Sequence, residues 1–229
     1  MPSPHWIHSA ATRWACTGVA LAAAACAPLS PKPAKTSEAP PVAAACPPAL
    51  AALARCLAGQ DSAGAYYLIA MPHQWNGHLV LHAHGGPALG APRPERSAAD
   101  LERWAIMVKA GYAWAGSTFR QGGVEVRAAA EDTERLRQIF VGHVAQPRRT
   151  ILHGQSWGAS VAARGAEMFT STTQGQRPYD AVLLTSGVLA GGSRSYDFRT
   201  DLRVVYQYLC NNHPRSTEVQ YPLNIGLPA

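Results

Sequence analysis

The sequence predicts an α/β protein with a mainly parallel sheet flanked by helices. Three observations carry that prediction. From about residue 64, short β-type runs alternate with helix-type segments. Runs such as Thr150-Ile151-Leu152 and Val182-Leu183-Leu184-Thr185 are apolar without alternation, as in strands covered on both faces. Two glycine-rich turns, at residues 84–87 and 154–158, each follow a β-type run, which is where ligands bind in sheets of this kind.

The elements follow in order. Residues 65–72, AYYLIAMP, read as a strand closed by Pro72, and 77–86, GHLVLHAHGG, as a buried strand ending on a glycine turn. Residues 97–112 read as one helix, with Ser97 as candidate N-cap, Leu101, Trp104 and Val108 at helical spacing, and Gly111 as the stop. YAWAGSTF (112–119) is a strand, and 125–144 a helix with Leu136, Ile139 and Phe140 on one face. RTILHG (149–154) is a strand, WGASVAARGAEMF (157–169) a helix, and YDAVLLTSG (179–187) a strand. This alternation indicates right-handed βαβ units. Beyond residue 190 a polar stretch leads to a helical DLRVVYQYLC (201–210) and a proline-punctuated end.

The flanks set the domain plan. Residues 1–27 carry Arg13 and an apolar run from Trp14 to Ala27, the layout of an export signal too short to span a bilayer comfortably. LAAAAC resembles a bacterial lipoprotein box with Cys26 as the lipidated residue, departing from it with Ala23 three before the cysteine; lipidation and simple cleavage nearby both stay open. Residues 28–48 form a Pro/Ala-rich tether, flexible or extended, 49–190 the core, and 191–229 the start of a cap or lid. The expected location is outside the cytoplasm: periplasmic, secreted or lipid-anchored, with the membrane touched only through Cys26. An exported chain can keep disulfides. The spacing of Cys46 and Cys56 suits a local bridge, which leaves Cys210 odd.

Composition narrows the function classes. Hydrophobic residues make up 47% and charged residues 15%, a globular balance. The net charge is +6, but the arginines are scattered and their densest region is broken by Glu131, Asp132 and Glu134, so nucleic-acid binding is not expected.

The chemistry-bearing stretch is Gly154-Gln155-Ser156-Trp157-Gly158. A strand-to-helix turn this tight needs glycine at 154 and 158, where a Cβ would clash, and forces Ser156 into strained backbone angles that push its Oγ out above the sheet. The Trp157 N–H opens a helix, where unpaired donors and the helix dipole favour a developing oxyanion. Upstream, His84-Gly85-Gly86-Pro87 offers a second backbone donor, from Gly86 rather than Ala88, since Pro87 has none.

This pairing resembles the α/β-hydrolase superfamily over about residues 64–187. HGGP with SWG is also similar to the proline-iminopeptidase branch, whereas GYAWAGSTFRQGG and RRTILHGQSWGAS look more like secreted esterases and prolyl-oligopeptidase-like hydrolases. Residues 117–122, STFRQG, depart from the DQRG-type turn usual in the iminopeptidase branch, which counts against a peptidase. The resemblance implies an acyl-enzyme on Ser156 and a histidine base oriented by an acid, without metal or organic cofactor, acting on a small ester or a short peptide. The acid and histidine should follow the nucleophile in the chain. After Ser156 the only histidine is His213, with Asp197 or Asp201 as candidate orienters; the expectation preferred here is a C-terminally truncated chain whose acid and histidine lie beyond Ala229. Three functions stand open: an exported carboxylic-ester hydrolase, an iminopeptidase-like aminopeptidase, and a non-catalytic or truncated member of the fold.

Overall fold

The computed structural model describes residues 36–86, 89–122, 125–173 and 175–211. These belong to one compact unit, Pro33–Ala229. The expected export signal, Cys26, Pro87, Ala88 and His213 lie outside the described residues.

Seven strands form one sheet among the described residues: β1 (Val42–Ala44), β2 (Ala54–Gln60), β3 (Tyr66–Pro72), β4 (His78–Ala83), β5 (Ala113–Ser117), β6 (Arg149–Gln155) and β7 (Ala181–Thr185), in the order β1-β2-β3-β5-β4-β6-β7. Strands β5, β4, β6 and β7 are parallel neighbours, and β1, β2 and β3 extend them in antiparallel fashion. The helices are α1 (Glu95–Arg103), α2 (Ala105–Lys109), α3 (Val126–His143), α4 (Trp157–Met168) and α5 (Gly192–Cys210). The predicted α/β class with a parallel centre is the observed one.

Alternate residues of each inner strand feed two cores, because the pleat sends successive side chains to opposite faces. On one face Tyr67, Ile69, Leu79, Leu81, Ala115 and Leu152 pack with Leu136, Ile139 and Phe140 of α3. On the other, Leu68, Ala70, Val80 and Trp114 pack with Leu101, Ala105 and Val108 of α1 and α2. Burial on both sides is why these strands carry apolar runs.

Four expectations need correction. The tether contains β1, paired with β2 at Ala44↔Cys56, and β2 itself falls in ARCLAGQ, a stretch too poor in branched or aromatic residues to read as a strand. The single helix over 97–112 is two, broken at Trp104. Ser97 is not its N-cap: the helix begins at Glu95 behind Pro94, and Ser97 is buried inside the first turns. The last helix starts at Gly192, nine residues before Asp201.

Cys46 and Cys56 are joined in a disulfide across the antiparallel extension, and Cys210 is free and exposed. No described helix is long and apolar enough to cross a membrane.

Candidate active site

Strand β6 hands over to α4 within one residue. Gln155 still pairs with Thr185 of β7, and Trp157 is already helical. Ser156 spans the gap at φ 56° and ψ −121°, a sparsely populated conformation for a residue with a side chain, which costs on the order of 1–3 kcal/mol. Its neighbours hold it there. Ser156 N donates to Thr185 O at 2.9 Å, and its carbonyl accepts from Ala159 N at 3.0 Å and from Val188 N at 3.3 Å. The hydroxyl is left over: among the described residues it makes no hydrogen bond.

The glycine spacing has a steric cause. A Cβ on Gly154 would overlap the Gly158 carbonyl, and a Cβ on Gly158 would overlap the carbonyl oxygens of Ala83 and His84. The loop after β4 is therefore pressed against the first turn of α4. Arg96 of α1 fixes this loop from outside, donating through Nη2 to Gly85 O at 2.6 Å and to His84 Nδ1 at 3.3 Å, while its Nε pairs with Asp100 at 3.1 Å. Gly86 follows at φ 70° and faces the same cleft as Ser156.

The other packing residue is Phe119. It is buried at φ 60°, in a turn where Phe119 N donates to Ser117 Oγ at 3.0 Å and Arg120 N to Asp132 Oδ2 at 2.7 Å. Its ring stacks on His84 with centroids 4.3 Å apart and meets Trp157 at 6.0 Å, edge to face. Phe119 thus supports both the loop after β4 and the start of α4. Neither Arg96 nor Phe119 is marked in the sequence. Arg96 offers only an i,i+4 pair with Asp100, and Phe119 reads as the end of a strand.

The cleft at Ser156 measures about 470 Å³. Its near end is Gly86, Ser156 and Trp157, and Val126, Val188 and Leu189 add apolar wall. One face of α4 contributes Ser160, Ala163, Arg164 and Glu167, and one face of α5 contributes Gly192, Ser195, Tyr196 and Arg199. Asp197 and Asp201 do not reach this cleft. They line a separate surface groove with Arg194 and Phe198, on the opposite side of α5.

No histidine lines the cleft among the described residues. His82 and His153 are buried, with rings 5.6 and 4.5 Å from Trp104. Burial holds the His153 imidazolium down at about 4. Burial, with the Arg96 charge second, does the same to His84, and burial next to His153 pushes His82 well below the ordinary range. All three are neutral packing groups at neutral pH. Among the described residues no cluster of His, Cys, Asp or Glu is grouped to hold a metal ion.

No protein-family model and no curated protein matches the sequence. Solved structures do. The chain is similar to an esterase of the bacterial hormone-sensitive lipase family, with a TM-score of 0.47 and 18% identity over 76% of this chain and 59% of that one. It is similar to esterase B of Lactobacillus rhamnosis, TM-score 0.41 and 18% identity over 54% of this chain and 44% of the other. The carboxyl esterase of Bacillus coagulans gives a TM-score of 0.39 and 19% identity over 58% of this chain and 44% of its own. The chain thus spans 44% to 59% of the length of these three proteins.

Proposed function

We propose that this chain is a serine hydrolase that cleaves a carboxylic ester through an acyl-enzyme on Ser156. The observation that carries the reading is the conformation of Ser156, held at φ 56° between a strand and a helix and facing a cleft, with its hydroxyl unpaired among the described residues. Proteins keep such strain where the surroundings over-determine it, and it clusters at reactive sites. In this reading Ser156 Oγ attacks the acyl carbon, its proton passing to a base. The carbonyl oxygen takes up negative charge at the N–H groups of Trp157 and Gly86, at the positive end of α4. The bond to the alcohol oxygen then breaks, the alcohol leaves with the proton, and water hydrolyses the acyl-enzyme in a second step. In this reading the base and its orienting acid lie outside the described residues, since Asp197 and Asp201 line a separate groove and no histidine lines the cleft among the described residues.

The charge of the cleft speaks against the peptidase alternative. A free substrate amine needs an unpaired acid. Glu167 is in the cleft but is bound by Arg164 at 3.1 Å, and Arg199 adds a further positive charge. Export belongs to the same proposal, with Cys26 either lipidated or removed by cleavage nearby; the Cys46–Cys56 disulfide supports an oxidising compartment.

A fluorophosphonate probe tests the reading. The full chain should be labelled at Ser156, and Ser156→Ala should not. Equal labelling of both forms would overturn the nucleophile assignment. An unlabelled wild-type chain would favour the non-catalytic alternative.

A further inference from the structure

The two helices that wall the cleft do so with regular faces. From α4 come Trp157, Ser160, Arg164 and Glu167, spaced by three or four residues, and from α5 come Ser195 and Arg199, one turn apart. The α4 wall runs from the Ser156 end to Glu167, about 16 Å at the usual rise per residue. The ionised side chains on these walls are two guanidiniums and one carboxylate. Arg164 is matched by Glu167, at 3.1 Å. Arg199 has no carboxylate partner among the described residues. Its Cζ stands 5.6 Å over the Tyr196 ring, which faces the same cleft. The nearest acids in sequence, Asp197 and Asp201, are two residues to either side, about 200° around the helix, and face the separate groove. Among the described residues, the cleft that holds Ser156 therefore carries one positive charge, on Arg199, without a carboxylate partner.

We propose that this cleft selects esters carrying a carboxylate, with Arg199 as the specificity residue that binds it. The inference rests on the ester-hydrolase reading for the reaction, but the charge argument is independent of it. The guanidinium fork matches a carboxylate in two parallel hydrogen bonds, each assisted by charge on both partners. Val188, Leu189 and Tyr196 accommodate the methylene spacer between ester and carboxylate, and a volume of about 470 Å³ suits a small molecule rather than a polymer. Glu167 sharpens the selection. By occupying Arg164 it confines the free charge to Arg199.

Binding is measured in the full-length Ser156→Ala chain, which cannot turn over, by titration calorimetry with monomethyl glutarate and with its neutral counterpart, methyl valerate. The expected result is that monomethyl glutarate binds at least tenfold more tightly than methyl valerate. Adding Arg199→Gln should remove that difference, Arg199→Lys should keep part of it, and Glu167→Gln should tighten monomethyl glutarate by freeing Arg164. Arg199 is exposed on a helix without buried residues, so its variants keep the fold, which an unchanged thermal melt verifies. Equal affinity for the two esters, no saturable binding of monomethyl glutarate, or an Arg199→Gln chain that still discriminates would overturn the proposal. None of these outcomes bears on Ser156 as nucleophile, which the fluorophosphonate labelling decides separately.

Discussion

His82 Nδ1 lies 2.9 Å from His153 Nδ1, at register-matched positions of the neighbouring parallel strands β4 and β6. The surrounding bonds assign the protons. Thr185 Oγ1 donates to Gly154 O at 3.1 Å, so it accepts from His153 Nε2 at 3.2 Å. His153 therefore presents a lone pair at Nδ1, and His82 donates to it. A proton added to His153 would set two N–H groups face to face. One added to His82 would bury a charge at Nε2, which has no hydrogen-bond partner among the described residues.

This pair makes the fold sensitive to acid. His82, His84 and His153 all have folded-state values below the ordinary 6.5. The unfolded chain thus binds protons first as pH falls. The stability of the neutral rings is fully present above pH 6.5 and is lost as pH drops towards about 4, where His84 and His153 accept a proton in the fold. Each histidine contributes a slope of up to ~1.4 kcal/mol per pH unit within that window. Urea midpoints taken at intervals from pH 7.5 to 4.5 should fall steadily below 6.5; a flat profile would contradict the assignment of neutral rings.

The backbone of Ser156 should trade stability for chemistry. Ser156→Gly removes the side chain from a positive-φ position. The relief of 1–3 kcal/mol outweighs the ~0.5–1 kcal/mol that glycine loses in chain entropy. A net gain of about 1 kcal/mol is expected in urea melts, together with complete loss of fluorophosphonate labelling. A variant less stable than wild type would show that the turn is not strained.

Arg96 is expected to act on the site through Gly85 and His84. Arg96→Gln gives up a charge-assisted bond worth about 1.5–3 kcal/mol and frees the loop that carries Gly86. The rate of Ser156 labelling should drop roughly tenfold to a hundredfold, and Arg96→Lys should recover part of it. Thermal stability should move far less than the labelling rate. A proportional loss of both would reduce Arg96 to a packing role.

The Cys46–Cys56 bridge should matter for stability and not for the site. It closes a loop of sequence separation 10 at the antiparallel end of the sheet, away from β6. Loop closure of this size is worth about 2–3 kcal/mol. The double Cys46→Ser, Cys56→Ser chain should lose that much in denaturant melts and label at the wild-type rate in native buffer.

What was legible in the sequence was local or periodic. The turn at Ser156 announces itself because its glycines are two residues to either side and answer to contacts within a few ångströms. The strands β4, β6 and β7 show as apolar runs and α3 as a helical stripe. What stayed hidden depends on partners far along the chain. ARCLAGQ becomes β2 because seven residues of β3 pair with it, and small side chains are tolerated there. Phe119 takes its left-handed turn because Ser117 and Asp132 capture two backbone N–H groups. Arg96 reaches a loop eleven residues away. The helix at 97–112 hides its break because Trp104 and Val108 share one face in either case. The candidate orienters Asp197 and Asp201 were plausible by chain order alone, and only the rotation of α5 separates them from the cleft.

Helix α5 buries none of its residues, yet it supplies one wall of the cleft. For anyone wishing to alter what the protein accepts, the molecule therefore divides into a part with no slack and a part that is interchangeable. At Gly154, Gly158 and Gly85, in the turn around Ser156 and the loop pressed against it, there is no room even for a methyl group. Residues 192–210 can be rewritten, or grafted from another source, without removing a single contact from either core, so a library confined to them would search new preferences while leaving the scaffold as it is.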